Sequence, residues 1–275
     1  MLSKVSIALA WLLLAIDVAL GGILFAMPER SVGGFAWSTT PLVTMTIGAW
    51  FLGNAWAAAV VVRRLRWHLV STVLLYLDLF GILQGAMAWL SRDALRFAGR
   101  PIAWLYAASI GASCLLAASS AVDWTRMAQD KDKPTASIDQ HSALVTLIFV
   151  ALVGLLGGYG MSFGAEDPTL PPALFPDALG AAGIRAFGAY YAALAISALP
   201  LAFLRRRALF QTHAFALFGL LIMSTAAAAV YADNWHFVEQ PAQLAYPAAH
   251  VLLGLVVGAL LLRFGTGSRQ EPGHR

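Results

Sequence analysis

Eight apolar stretches, each long enough to cross a lipid bilayer, constrain this chain more than any other feature of it. They cover residues 6–27, 37–62, 69–90, 102–122, 143–163, 178–204, 208–231 and 242–262. About 20 helical residues span roughly 30 Å of hydrocarbon, at about 1.5 Å of rise each. No water reaches that depth, so every backbone N–H and C=O must be satisfied within the chain, and loop-connected spans must be helices. The expected fold is therefore all-α, a polytopic membrane helical bundle of eight transmembrane helices. Composition agrees: 60% of residues are hydrophobic and 12% charged, about half the charged share of an ordinary globular chain. The first stretch follows Lys4 and is too long for a secretory h-region. It lacks a small-residue cleavage site, so it reads as a span.

Basic residues give the bundle a direction. With the amino terminus inside, the inner segments carry Lys4, Arg63, Arg64, Arg66, Arg126, Lys131, Lys133, Arg205, Arg206, Arg207, Arg263, Arg269 and Arg275. The outer segments and span ends carry only Arg30, Arg92, Arg96, Arg100 and Arg185. The positive-inside rule then places both termini in the cytoplasm, with the inner membrane of a bacterium as the expected location. Trp37, Trp89, Trp104 and Trp235 fall near the outer boundary, and Trp67 and Trp124 near the inner one, as expected for headgroup-level rings. Trp11, Trp50 and Trp56 lie deeper, where packing is the expected role.

The two halves echo one another. The stretch from Gly21-Gly22 to Glu29 resembles that from Gly157-Gly158 to Glu166, and Gly48-Ala49-Trp50-Phe51 resembles Gly188-Ala189-Tyr190-Tyr191. Arg63-Arg64-Leu65-Arg66 matches Arg205-Arg206-Arg207, and Pro101-Ile102-Ala103-Trp104-Leu105-Tyr106 matches Pro241-Ala242-Gln243-Leu244-Ala245-Tyr246. The offset stays at about 136–142 residues. An even number of spans per half gives two tandem four-helix repeats of the same orientation, a parallel duplication. The expected units are residues 1–123 and 141–265, joined by a polar linker at 124–140 and followed by a tail at 266–275.

Ionisable side chains inside a span cost a few kcal/mol on insertion scales, so each needs a reason. Asp17, Asp78, Arg185 and His250 stand out, with His213 as a fifth. Asp17 shares a helix face with Gly21, Asp78 with Gly81 and Gly85, Arg185 with Gly188, and His250 with Gly254 and Gly258. Small residues at this spacing let helices approach closely, which turns the charges into the bundle. By helix rise Asp17 and Asp78 lie about 15–18 Å below the outer boundary, and Arg185 and His250 about 10–12 Å. Two alternatives stand: one polar substrate-binding or proton-coupling site, with Arg185 compensating Asp17 or Asp78, or separate packing contacts. His213 and His250 differ in level by about 20 Å, too far to ligate one haem iron.

Arg92, Arg96 and Arg100 recur every fourth residue and form a basic stripe if their segment is helical. They are candidates for lipid headgroups, against a plain solvated turn. The loop over 164–177, with Glu166, Asp167 and Asp177 among four prolines, is expected to be stiff and acidic. A formal charge of +4 does not point to nucleic acid, because the basic residues sit at span ends as topology signals. Cys114 is alone, which excludes an intrachain disulfide and a multi-cysteine metal site. No phosphate-cradling, dinucleotide, zinc-protease or nucleophile-elbow motif occurs, and no cofactor or metal is expected.

Three functions remain. The first is a transporter-like or small-molecule-binding protein with a polar site between the repeats. The second is a non-catalytic scaffold or accessory subunit, whose partners are lipid and a membrane protein or a second copy. The third is a membrane-embedded enzyme acting on a lipid or isoprenoid, with Asp17, Asp78 or His250 as acid or base.

Overall fold

The computed structural model describes residues 1–127, 136–162, 175–177 and 179–266. The acidic loop lies almost wholly outside the described residues, as do residues 128–135 of the linker and nearly all of the tail. Eight helices are long and apolar enough to cross a membrane: α1 (Lys4–Ala26), α3 (Pro41–Arg64), α4 (Trp67–Leu90), α5 (Pro101–Met127), α6 (Gln140–Ser162), α7 (Ala181–Leu204), α8 (Arg207–Val230) and α9 (Ala245–Thr266). The short helix α2 (Pro28–Ser31) fills the first turn between spans. No strand is present among the described residues. The chain is an integral membrane protein.

Local chemistry sets the helix ends. Ser3 caps α1 by accepting from the Ser6 N–H, and Thr40 caps α3 through the Val43 N–H with Pro41 at the first helical position. The missing proline N–H costs nothing there, so the span begins at residue 41 and not at 37. At the eighth span a 3₁₀ turn over Pro241–Leu244 precedes α9. The fourth span, expected to end at residue 122, runs on to Met127. Its Asp123 can stay helical because partners on α1 occupy its carboxylate.

Helices α3 and α4 are separated only by Leu65 and Arg66, and α7 and α8 only by Arg205 and Arg206. Leu65 and Arg205 take up left-handed conformations, φ 52° and 48°, which costs about 1–2 kcal/mol for a residue with a Cβ. Hydrogen bonds hold both. The Leu65 N–H donates to Val61 and that of Arg205 to Leu201, at 3.0 and 3.2 Å. The carbonyl of Leu65 accepts from the Leu2 N–H at 3.0 Å, and that of Arg205 from Ile138 at 2.8 Å.

The helices α3, α4, α7 and α8 form the centre. Helix α3 packs on α4 and α8, and α4 on α7 and α8. Rings bridge α3 to α7, with Trp50 stacked on Tyr190 at 4.4 Å and 10° between planes. Outside this centre α1 lies on α3, α6 on α7, α5 on α4 and α1, and α9 on α8. Burial follows: the apolar window of α3 is 83% buried and that of α9 not at all. The outer helices spend that exposed apolar surface on lipid.

Close approaches fix the crossings. A Cβ on Gly21 would stand 2.7 Å from the Leu52 nitrogen, and one on Gly48 2.6 Å from that of Phe25. At the α6–α7 crossing a Cβ on Gly157 would meet the Ala192 nitrogen at 2.6 Å, and one on Gly188 that of Met161 at 2.4 Å. Gly81 abuts Ser113 on α5. The Gly254–Gly258 step does not behave as expected. Gly254 has open space beside it, and Gly258 meets only the Phe218 ring edge at 3.9 Å. Helix α9 touches α8 through larger side chains instead.

Two further expectations are corrected. The segment holding Arg92, Arg96 and Arg100 is helical only as one 3₁₀ turn, Arg92–Ala94. Leu95 is extended and Gly99 has φ 69°, so no continuous basic stripe exists. Arg92 lies over the Trp89 ring at 5.3 Å, while Arg100 donates to the Phe35 carbonyl at 2.9 Å. Among the deeper tryptophans only Trp50 is core. Trp11 is 56% exposed on the lipid-facing side of α1, and Trp56 is 41% exposed with its indole N–H donating to the Phe215 carbonyl at 3.0 Å.

Candidate functional site

Helix α5 carries one buried polar residue at nearly every turn of a single face: Tyr106, Ser109, Ser113, Ser120 and Asp123. Steps of three, four and seven residues keep these side chains over one another. The face is turned toward α1 and α4, and those helices supply its partners.

At the end of the bundle away from the amino terminus, Gln84 on α4 ties three helices together. Its Oε1 accepts from the Tyr106 hydroxyl at 3.2 Å, and its Nε2 donates to the Ala186 carbonyl of α7 at 2.8 Å. A narrow crevice without room for a water molecule lies beside this knot, against Trp37 and Ser91. The Trp37 indole N–H is buried there without a partner.

One turn along α5, the Ser109 hydroxyl donates to Asp17 Oδ1 at 2.5 Å. Asp17 is fully buried, and its Oδ2 has no partner. A second buried pair lies between α3 and α4, where Tyr76 donates to Asn54 Oδ1 at 2.6 Å and the Asn54 amide nitrogen is left without an acceptor. The Ser113 hydroxyl is also buried and unpartnered. Next comes Asp78, whose Oδ1 receives the Ser120 hydroxyl at 3.5 Å, the limit of a hydrogen bond. At the amino-terminal end, Asp123 Oδ2 accepts from the Ser3 N–H at 3.1 Å and the Ser6 hydroxyl at 2.7 Å, and Ser6 lies 2.7 Å from Ser119 Oγ.

The four residues singled out from the sequence thus make four different sets of contacts. Asp17 and Asp78 both meet serines of α5, but at levels about 16 Å apart by helix rise. Arg185 compensates neither of them. Its guanidinium donates to the Leu90 carbonyl at 3.3 Å and to Ser91 Oγ at 3.1 Å, capping the end of α4. A cation at a helix carboxyl end meets the negative pole of the backbone, and this partner lies within reach without leaving the boundary. His250 Nδ1 is 2.9 Å from the Tyr246 carbonyl, with its ring against that tyrosine at 4.4 Å. His213 lies near the opposite end of α8, fully buried against the Thr72 backbone, both ring nitrogens unpartnered.

The sequence singles out Asp17 and Asp78 but not the roles of their partners Ser109 and Ser120, nor the Tyr76–Asn54 pair, nor Asp123. The spacing of polar residues along 106–123 was the available signal. Among the described residues no group of three or more His, Cys, Asp and Glu side chains could hold a metal ion. No protein-family model, curated protein or solved structure matches this chain.

Proposed function

We propose that the chain is a tandem duplication of a four-helix unit, and that it binds and moves a small solute through the buried polar interior of its first unit. One observation carries the second part: Asp17 is fully buried beside Ser109, with one oxygen unpartnered and no basic group bonded to it. Burying a carboxyl at that depth is costly, and such residues mark substrate and proton pathways.

The duplication is supported by contacts that repeat at fixed offsets, one through the first span and one after it. The sequences of α3 and α4 map onto α7 and α8 at 140 residues, and α1 maps onto α6 at 136. The same shifts carry Gly21 against Leu52 onto Gly157 against Ala192, and Gly48 against Phe25 onto Gly188 against Met161. They carry the bond from Leu2 to Leu65 onto that from Ile138 to Arg205, and the Phe35–Tyr106 ring pair onto Phe175–Tyr246. The contact of α3 with α8 becomes that of α7 with α4, as a two-fold axis along the membrane normal requires.

The second unit then acts as an internal control. At the positions of Asp17, Asn54, Tyr76, Asp78, Ser109 and Ser113 it has Val153, Leu194, Ala216, Phe218, Ala249 and Leu253. The α1–α3 and α6–α7 crossings form alike with and without this set, so the polar residues serve the interior of the first unit, where α5 closes on α1, and not those crossings. The positive-inside bias supports a cytoplasmic position for both termini, in a bacterial inner membrane on this reading.

The test is a thermal-shift screen of purified protein against amino acids, organic cations and sugars, followed by uptake of any stabilising solute into proteoliposomes. Asp17→Asn should keep expression and monodispersity while losing both shift and uptake. If stabilising solutes act equally on the variant, or none is taken up, the transport reading is wrong.

One observation favours a scaffold instead. Helix α9 packs on α8 but not closely on α6, whereas α5 packs on both α4 and α1. The second unit is left open on one side, where a partner helix or a second copy would fit. Arg92, Arg96 and Arg100 would add lipid-headgroup contacts at the rim. Crosslinking in native membranes with mass spectrometry separates the readings, since a stoichiometric partner on α6 or α9 supports the scaffold.

A further inference from the structure

We infer that the polar face of α5 is a proton access path leading from the amino-terminal end of the bundle to Asp17. The inference rests on the reading of Asp17 as a functional group, and it assigns roles to Asp123, Ser120, Asp78 and Ser113 that transport alone does not require.

The path has one polar group per helical turn. From Asp123 to Ser109 is 14 residues, about 21 Å of rise, or most of the depth of the hydrocarbon. Asp123 stands at the mouth, one turn inside the end of α5, beside the partly exposed Ser3. Ser120 is the next turn up and already donates to Asp78. Asp78 fills the turn between Ser120 and Ser113, because Gly81, three residues further along α4, is level with Ser113. The unpartnered Ser113 hydroxyl is one turn below Ser109, which donates to Asp17. The far side is sealed by Gln84, whose amide groups are both engaged and which is not an acid or base.

Each transfer conserves charge along the row. A carboxyl gives its proton to the next oxygen and takes one from the oxygen before it. A serine gives its own hydroxyl proton forward and accepts another behind, so every hydroxyl is restored. The proton enters at the Asp123 carboxylate and ends on Asp17 Oδ1, the oxygen to which Ser109 already donates. Steps of about one turn, about 5.4 Å, exceed a direct hydrogen bond, so single waters join the levels during transfer.

A merely structural role makes a different demand on the same residues. Serines and aspartates facing a neighbouring helix also hold spans together, and α5 does contact α1 where α9 leaves α6. For packing, Asp123→Asn is near neutral, since the amide oxygen still accepts from Ser3 and Ser6. For proton access it is not, because an amide does not take up and release a proton.

The experiment is infrared spectroscopy of the full chain in lipid while the buffer is switched from H2O to D2O. The carboxylic C=O band of Asp17 is identified by its loss in Asp17→Asn. In the wild type this band should shift as fast as the solvent is replaced, although the residue is fully buried. In Asp123→Asn, Asp78→Asn and Ser113→Ala the shift should be about a hundredfold slower, the lower end of what a positioned proton carrier contributes. Thr72→Val, which removes a buried hydroxyl of α4 that is not on the path, should exchange as the wild type does. Absence of an Asp17 carboxylic band, slow exchange in the wild type, or equal rates in all variants overturns the path. The solute-uptake assay is independent of this readout. Rapid exchange without uptake leaves the path standing and removes transport, and uptake without rapid exchange does the reverse.

Discussion

Two adjacent glycines on α1 should respond in opposite ways to the same substitution. A Cβ on Gly21 would lie 2.7 Å from the Leu52 nitrogen and 3.0 Å from the Gly48 carbonyl, while Gly22 has open space. Both nearest groups at Gly21 are backbone and cannot rotate aside. Ordinary contact begins near 3.5 Å, so α1 and α3 must part by almost 1 Å. Such over-packing costs about 1–3 kcal/mol, about 5–150-fold in the folding equilibrium. At Gly22 the substitution meets nothing, and the better helix propensity of alanine contributes up to about 1 kcal/mol in its favour. The pair Gly157 and Gly158 repeats the contrast at the α6–α7 crossing, where only the first abuts Ala192. Equilibrium unfolding of Gly21→Ala, Gly22→Ala, Gly157→Ala and Gly158→Ala in mixed micelles, by titration with dodecyl sulfate, reads the difference directly. Equal midpoints for Gly21→Ala and Gly22→Ala would refute the crossing geometry, and with it the internal equivalence built on it.

The buried Tyr76–Asn54 pair should show a coupling of about 0.6–1.7 kcal/mol in a double-mutant cycle of Tyr76→Phe and Asn54→Leu, the range measured for such bonds in membranes. No coupling would mean that the two side chains bond elsewhere. Orientation is open to cysteine accessibility: in a Cys114→Ala background, Arg66→Cys should react with an impermeant maleimide only after the membrane is opened, and Gly34→Cys before. The reverse pattern would invert the proposed topology.

The spans were legible because one physical demand, internal satisfaction of the backbone across hydrocarbon, writes itself into twenty-residue apolar blocks. Ends were less so: the apolar block beginning at residue 37 overran the cap and proline at Thr40-Pro41 that set the true start, and at Asp123 partners distant in sequence allowed the helix to continue. Which carboxylate meets which partner could not be read from periodicity alone. Arg185 and the buried acids share a rough depth, yet the nearest acceptors for Arg185 were the freed carbonyl of Leu90 and the hydroxyl of Ser91. Helix faces named by glycine spacing fared unevenly for the same reason. Gly81 found Ser113, whereas Gly254 found no helix, because close contact takes two complementary surfaces and the sequence displays one at a time.

The stacked rings of Trp50 and Tyr190 have a mechanical meaning if the halves are duplicates. These residues are each other's counterparts, and a residue can touch its own counterpart only on the symmetry axis. The stack is therefore a hub. If transport proceeds by one half turning against the other, the two planes can slide over each other at the axis while the peripheral helices α1 and α6 travel furthest. Trp50→Phe, which keeps a ring in the core but reduces the stack, should accordingly impair solute uptake more than it lowers stability.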